Sequence, residues 1–195
     1  MGKYDKYICT ELKKNVPLPP YREWERDMIG DGLWEGYHRG LEHVVWTDEN
    51  VMPGCFYSEM VWQWSQKWPG IRPRPVLTPE QMAEAAKRPG GQGVPAHAHP
   101  FPELLSFFGT DLAHPEDLRG EVEFWMEDEK YLLTKSCMIY IPKGTQHAPM
   151  FPRRVDRPIL WCDSLPDGEM SAVYATDPKW NRFRDPLPMP PKPGE

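Results

Sequence analysis

The stretch "HAHPFPE", residues 97–103, sets two histidines one residue apart and a carboxylate four residues beyond the second. The whole chain has only six histidines, so this pair invites a chemical reading. In an extended strand, residues i and i+2 face the same way. His97 and His99 then reach the same side, and Glu103 keeps that parity if the strand continues. Pro100 and Pro102 each lack a backbone donor and predict an edge or a bulge. Two imidazoles with one carboxylate form a mixed N/O donor set suited to Fe(II), Mn(II), Ni, Co, Cu or Zn. The same residue types also fit an exposed polar turn.

A second stretch, "SCMIYIPKGTQHAPM" (136–150), completes the donor set. It reads as a strand, a tight turn at Pro142 and Gly144, and His147 entering the next strand. Proline presets the turn's φ, and glycine takes the conformation that other residues avoid. The turn folds the chain back and can deliver His147 beside the first three candidates. Together the two stretches run Gly91, five residues, His97, one, His99, three, Glu103, five, Gly109, and later Pro142, one, Gly144, two, His147.

This pattern resembles the cupin superfamily. Its first motif is glycine, His-x-His, glutamate and glycine; its second is glycine, five residues, Pro-x-Gly, two residues and histidine. The resemblance implies a small jelly-roll β-barrel in which His97, His99, Glu103 and His147 bind one divalent metal ion. Three departures stand out: Ser136 replaces the second motif's opening glycine, Phe151 replaces its usual terminal asparagine, and five residues rather than six separate Glu103 from Gly109. The resemblance spans residues 91–163 and does not explain the first 90.

The other polar residues divide between site and surface. Tyr140 and Gln146 flank the turn and are candidates for holding metal-bound imidazoles by hydrogen bonds, and for catalysis alongside Glu103. Glu121 and Glu123 share one face of "EVEFWM"; they read as a solvated face paired with Lys130 or Lys135, the alternative being a proton-handling carboxylate beside the metal. Arg153 and Arg154 fit a substrate carboxylate or an exposed loop equally well. His38, His43 and His114 lack partners at ligand spacing and read as surface or packed imidazoles.

The elements that must position these residues are mostly short strands. "EHVVWT" (42–47) and "CFYSEMVWQW" (55–64) read as strands joined by a turn at Pro53 and Gly54. In the second, Met60, Trp62 and Trp64 alternate with Val61, Gln63 and Ser65. The tryptophan face is expected to be core or a subunit interface, with a ligand wall as the third reading. From residue 91 onward, "ELLSFF", "EVEFWM", "KYLLTK", "CMIYI", "HAPMF", "RPILWC" and "SAVYA" follow one another, with "EDEK" (127–130) as a hairpin tip. That spacing implies a sandwich or barrel. One helix is expected over "TPEQMAEAAK" (78–87), where Thr78 and Gln81 form a capping box, and another short one around "YREWERDM" (21–28). The expected architecture is all-β: residues 1–40 an arm, 41–178 one cupin-type jelly-roll barrel, and 179–195 a proline-rich tail.

Bulk composition agrees with a folded body and proline-rich edges: 195 residues, 24 prolines, nine Trp, eight Tyr and seven Phe. A net charge of −6 with scattered lysines and arginines argues against a nucleic-acid partner. No run approaches 18 apolar residues, which argues against a membrane span. "MGKYDKYICTELKK" lacks a signal-peptide apolar stretch. Cys9, Cys55, Cys137 and Cys162 are widely spaced, and the last two read as buried small hydrophobes. These features are expected of a cytoplasmic, thiol-reduced protein. The resemblance implies an enzyme that uses Fe(II), Mn(II), Zn(II) or Ni(II) on a small aromatic or organic-acid substrate, by dioxygenase or by lyase, hydrolase or isomerase chemistry. It also admits a non-catalytic sensor, and it implies a homodimer.

Overall fold

The computed structural model describes residues 2–10, 41–63, 96–167 and 172–174. The helices expected over 21–28 and 78–87, most of the arm at 1–40 and the tail at 179–195 lie outside the described residues, as does His38. After one 3₁₀ turn at Asp5–Tyr7, the described chain is strands: β1 (Leu41–Thr47), β2 (Tyr57–Gln63), β3 (His97–Ala98), β4 (Glu103–Gly109), β5 (Asp117–Met126), β6 (Glu129–Lys135), β7 (Cys137–Ile141), β8 (His147–Val155), β9 (Ile159–Leu165) and β10 (Val173–Tyr174). They pair antiparallel as two five-stranded sheets, ordered β1-β2-β9-β4-β7 and β10-β3-β8-β5-β6. The expected jelly-roll body is thus, in its hydrogen bonding, a two-sheet sandwich.

The core lies between the sheets. Leu105 and Phe107 of β4, Leu118, Val122 and Phe124 of β5, Ile141 of β7 and Ile159 of β9 form one cluster of buried side chains. A smaller cluster of Trp46, Val51, Tyr57 and Leu165 closes the β1–β2 end. Burial of this apolar surface, at about 25 cal/mol per Å², is what holds two otherwise separate sheets face to face.

Turns and close approaches set the register. Gly54 sits at φ 84° between β1 and β2, as the expected turn requires. Gly109 ends β4 so close to β5 that a Cβ there would lie 2.0 Å from the Asp117 carbonyl oxygen. Ser136 fills its place in the second motif with a bridge. Its hydroxyl accepts the Gly109 N–H at 2.9 Å and donates to the Pro115 carbonyl at 2.6 Å.

Two expectations about faces are corrected. The residues of β2 that turn inward are Tyr57, Glu59, Val61 and Gln63, whereas Met60 is exposed and Trp62 only half-buried. Alternation gave the parity but not the direction, because both faces of β2 carry large apolar side chains. The tryptophan side is not core. Cys137 and Cys162 are half-buried rather than buried, and all four cysteines are free thiols.

Candidate metal centre

β3 and β8 are neighbours in one sheet, and His97 pairs directly with His147 across them. β3 ends at Ala98, so His99 follows the strand instead of continuing it. Its position is fixed from the other motif: the Gly144 N–H donates to the His99 carbonyl at 2.9 Å. Gly144 holds φ 79°, a left-handed conformation open to glycine and costly to other residues. The turn does more than reverse the chain, since it ties the second motif to the first. Glu103 opens β4 in the facing sheet and reaches the three imidazoles across the sandwich.

His97, His99, Glu103 and His147 are all buried, and each offers a ligand atom within 4.8 Å of the others. Glu103 Oε2 lies 2.8 Å from His147 Nε2 and 3.2 Å from His99 Nε2. Donors at 2.0–2.2 Å from one ion stand about 3 Å apart when adjacent, so these separations fit a shared cation. Burial pushes the Glu103 carboxyl up, but the two imidazoles beside it, those of His147 and His99, outweigh that and hold the group well below the usual carboxylate range. Despite their closeness, Glu103 Oε2 and His147 Nε2 make no hydrogen bond of acceptable geometry among the described residues. Each buried polar atom left so costs about 1–3 kcal/mol, and a divalent cation at the point of convergence satisfies both. The residues present fit such an ion.

Orientation comes from the main chain. His147 Nδ1 is 3.0 Å from the Thr145 carbonyl oxygen, and donation there leaves the Nε2 lone pair aimed at the cluster. A backbone carbonyl has no sequence signature, so side-chain reasoning looked to Tyr140 and Gln146 instead. Tyr140 stands 63% exposed on the outer face, opposite Leu104, and does not reach the cluster. The Gln146 carbonyl accepts the Glu127 N–H, the Gln146 N–H donates to the Glu127 carboxylate, and the carboxamide oxygen is buried without a hydrogen-bond partner among the described residues. Phe101 stacks on the His99 ring at 5.4 Å.

The remaining candidates lie elsewhere. Glu123 accepts bonds from Trp125 Nε1 and Arg153, and Glu121 pairs with Arg154, so arginines take the place expected for Lys130 and Lys135. "PRRV" belongs to β8 and is not a loop. A register shift where β8 passes Glu121 and Val122 lets Arg153 reach Glu123. His114 is exposed, 3.7 Å from Glu116, and His43 belongs to β1. Sequence reasoning missed Glu59, Trp161 and Asp163, which face inward on β2 and β9, and it left Gln63 without a role. The signal available was period-two alternation with polar residues on one face.

No protein-family model matches the chain, and no curated protein matches it. Among solved structures, an oxalate decarboxylase is 14% identical with a TM-score of 0.39, over 89% of this chain and 37% of its own. An oxalate oxidase is 13% identical with a TM-score of 0.38, over 85% of this chain and 73% of its own. Peruvianin-I, described as a cysteine peptidase from Thevetia peruviana latex, is 14% identical with a TM-score of 0.41, over 86% of this chain and 94% of its own. This chain therefore spans little more than a third of the decarboxylase's length. The chemistry of these proteins is theirs, and the sheets, registers and donor atoms described above stand without it. Each motif contributes strands to both sheets, and the described residues form the all-β, two-sheet antiparallel sandwich expected from those motifs.

Proposed function

We propose that this chain is a metal-dependent enzyme that holds one divalent ion with His97, His99, Glu103 and His147 and acts on a small organic molecule inside the sandwich. One observation carries the reading: four buried side chains from two motifs, the last of them 44 residues beyond Glu103, bring their donor atoms within 4.8 Å of one another. Three nitrogens and one carboxylate oxygen suit Fe(II), Mn(II), Zn(II) or Ni(II). A five- or six-coordinate ion held by four protein donors supplies Lewis acidity, an activated water or, when redox-active, dioxygen chemistry.

The chain's own residues prepare the place. The Thr145 carbonyl fixes the His147 tautomer, the Gly144 N–H fixes the chain at His99, and Phe101 covers one face of that imidazole. Leu105, Phe124 and Ile141 keep water from the neighbouring core, which strengthens every charge interaction inside. Glu103, held ionised, is the anionic member of the ligand set. Dioxygenase chemistry and redox-neutral lyase, hydrolase or isomerase chemistry both fit this arrangement. The four thiols suit a reducing, cytoplasmic setting.

A second reading, a non-catalytic ligand-binding or sensor protein, is favoured by one finding. The acid–base candidates outside the ligand set are engaged elsewhere, Tyr140 on the outer face and Glu123 with Arg153. Elemental analysis of freshly purified protein, with a substrate panel run in air and without it, separates the readings. About one equivalent of metal and turnover, both lost in His97→Ala and His147→Ala, are expected of the enzyme. Tight ligand binding with no product selects the sensor. Metal-free protein that His99→Ala leaves unchanged overturns both.

A further inference from the structure

β8 changes face partway along its length, and the change decides whether His147 reaches the cluster. Two residues of this strand point between the sheets. His147 brings its Nε2 to Glu103 of the facing sheet, and Met150 packs against the core around Phe124 and Ile141. They stand three positions apart. In a regular strand successive side chains alternate, so residues three apart face opposite ways. With Met150 inward, unbroken alternation would turn Ala148 inward and His147 to the outer face. The register shows how the strand avoids this. Phe124 of β5 pairs with Met150 and Met126 with His147, so two steps along β5 match three along β8. β8 holds one extra residue between these pairs.

The extra residue is accommodated at Ala148. Its φ of 66° lies in the left-handed region, and the residue is 8% exposed. Among residues with a side chain, Asn and Asp enter that region most readily and β-branched residues least. Alanine has no polar side chain to bond the nearby backbone, so its surroundings impose the conformation. The residues on either side show what does so. His147 is tied to β3 by its pairing with His97, and its Nδ1 lies 3.0 Å from the Thr145 carbonyl oxygen. Met150 is tied to β5 by its pairing with Phe124. β8 runs between β3 and β5, and an interior strand accommodates a proline only at a bulge. Pro149 occupies that place.

We infer that Ala148 is a positioning residue of the metal centre: its left-handed backbone inserts the one residue that reverses the parity of β8 and turns His147 into the cluster. This rests on the metal-centre reading and deepens it, because the fourth donor then depends on a backbone conformation as well as on a histidine.

The test compares the full-length wild type with Ala148→Asn, Ala148→Thr and Ala148→Gly. Zn(II) affinity is read by competition with a chromophoric chelator, ligand geometry by the visible spectrum with Co(II) bound, and folding by the urea midpoint. Asn and Thr are of similar size but differ in their tolerance of positive φ, so added bulk at a buried position weighs on both alike. Ala148→Asn is expected to bind Zn(II) as the wild type does and to give the wild-type Co(II) spectrum. Ala148→Thr should bind Zn(II) at least about tenfold more weakly, with a Co(II) spectrum altered by loss of one nitrogen donor. Ala148→Gly should keep the affinity and raise the urea midpoint, because the strain relieved exceeds the entropy that glycine costs. That last measurement decides the matter even if Ala148→Thr does not fold. Ala148→Thr binding Zn(II) as tightly as Ala148→Asn, or Ala148→Gly lowering the urea midpoint, overturns the inference. Failure of the wild type to take up metal is a separate result, and it overturns the centre itself.

Discussion

At the scale of single residues, Glu103 is the pivot of the centre. Its carboxylate is buried, acidic beyond the normal range, and within 3.2 Å of two imidazole nitrogens. Glu103→Gln keeps the volume and removes the charge. We expect metal affinity, measured by competition with a chromophoric chelator, to fall by more than about tenfold, the low end of what lesser, outer partners cost. Equal affinity in the variant would show that the carboxylate is not a ligand. The thiols give a second residue-scale prediction. Burial pushes the Cys137 thiol up; burial first, then the charges of Asp163 and Glu59, push up Cys162. A raised pKa leaves less thiolate at neutral pH, so both should alkylate with iodoacetamide more slowly in the native protein than in urea. Equal rates would contradict the burial described here.

At the scale of elements, glycine and serine at the strand ends do the positioning. A Cβ on Gly109 would meet backbone of β5 at 2.0 Å, and backbone cannot swing aside as a side chain can. Gly109→Ala should therefore destabilise by about 2–3 kcal/mol in urea unfolding. Gly144→Ala meets no atom within 4 Å, yet φ 79° strains any L side chain by about 1–2 kcal/mol. Because the Gly144 N–H holds the His99 carbonyl, that variant should also lose metal affinity, which Gly109→Ala need not do. Ser136→Ala removes two hydrogen bonds from a partly exposed bridge and should cost about 1 kcal/mol, read from the shift in urea midpoint. The tight β5–β6 hairpin at 127–130 was legible from "EDEK" alone, since short polar turns declare themselves in composition. The bulges of β8 were not, because they depend on what β5 presents opposite them.

At the scale of the whole molecule, the two outer faces differ. The β8–β5 side carries Glu121, Glu123, Arg153 and Arg154, paired with one another. Across β2, β9, β4 and β7, the outward residues include Met60, Trp62, Leu104, Phe108, Met138 and Tyr140, and no outward position on these strands is charged. Met138 and Tyr140 are 62% and 63% exposed, and Met60 is 38% exposed. Two copies of a chain with net charge −6 repel, and an uncharged face is where they meet at least electrostatic cost. We propose a homodimer through this sheet, which needs about 800 Å² from each copy. Met138→Glu and Met60→Glu should shift the protein to monomer in sedimentation equilibrium, while Arg154→Glu on the other face should not. A wild-type monomer at all concentrations would remove the proposal.

The residue types determined the all-β class and the candidate donors within each motif, because both rest on short-range rules: period-two alternation, turn chemistry, and ligand spacing; the joining of His147 to the other three was implied by the cupin resemblance. Tertiary structure alone decided which face of β2 looks inward, where Tyr140 points, which carbonyl orients His147, and that Glu59 lies opposite Asp163. Each of these depends on which strand lies opposite, and strand partnership is set by packing two sheets together, a relation between residues as far apart as Glu59 and Asp163 that no local window contains.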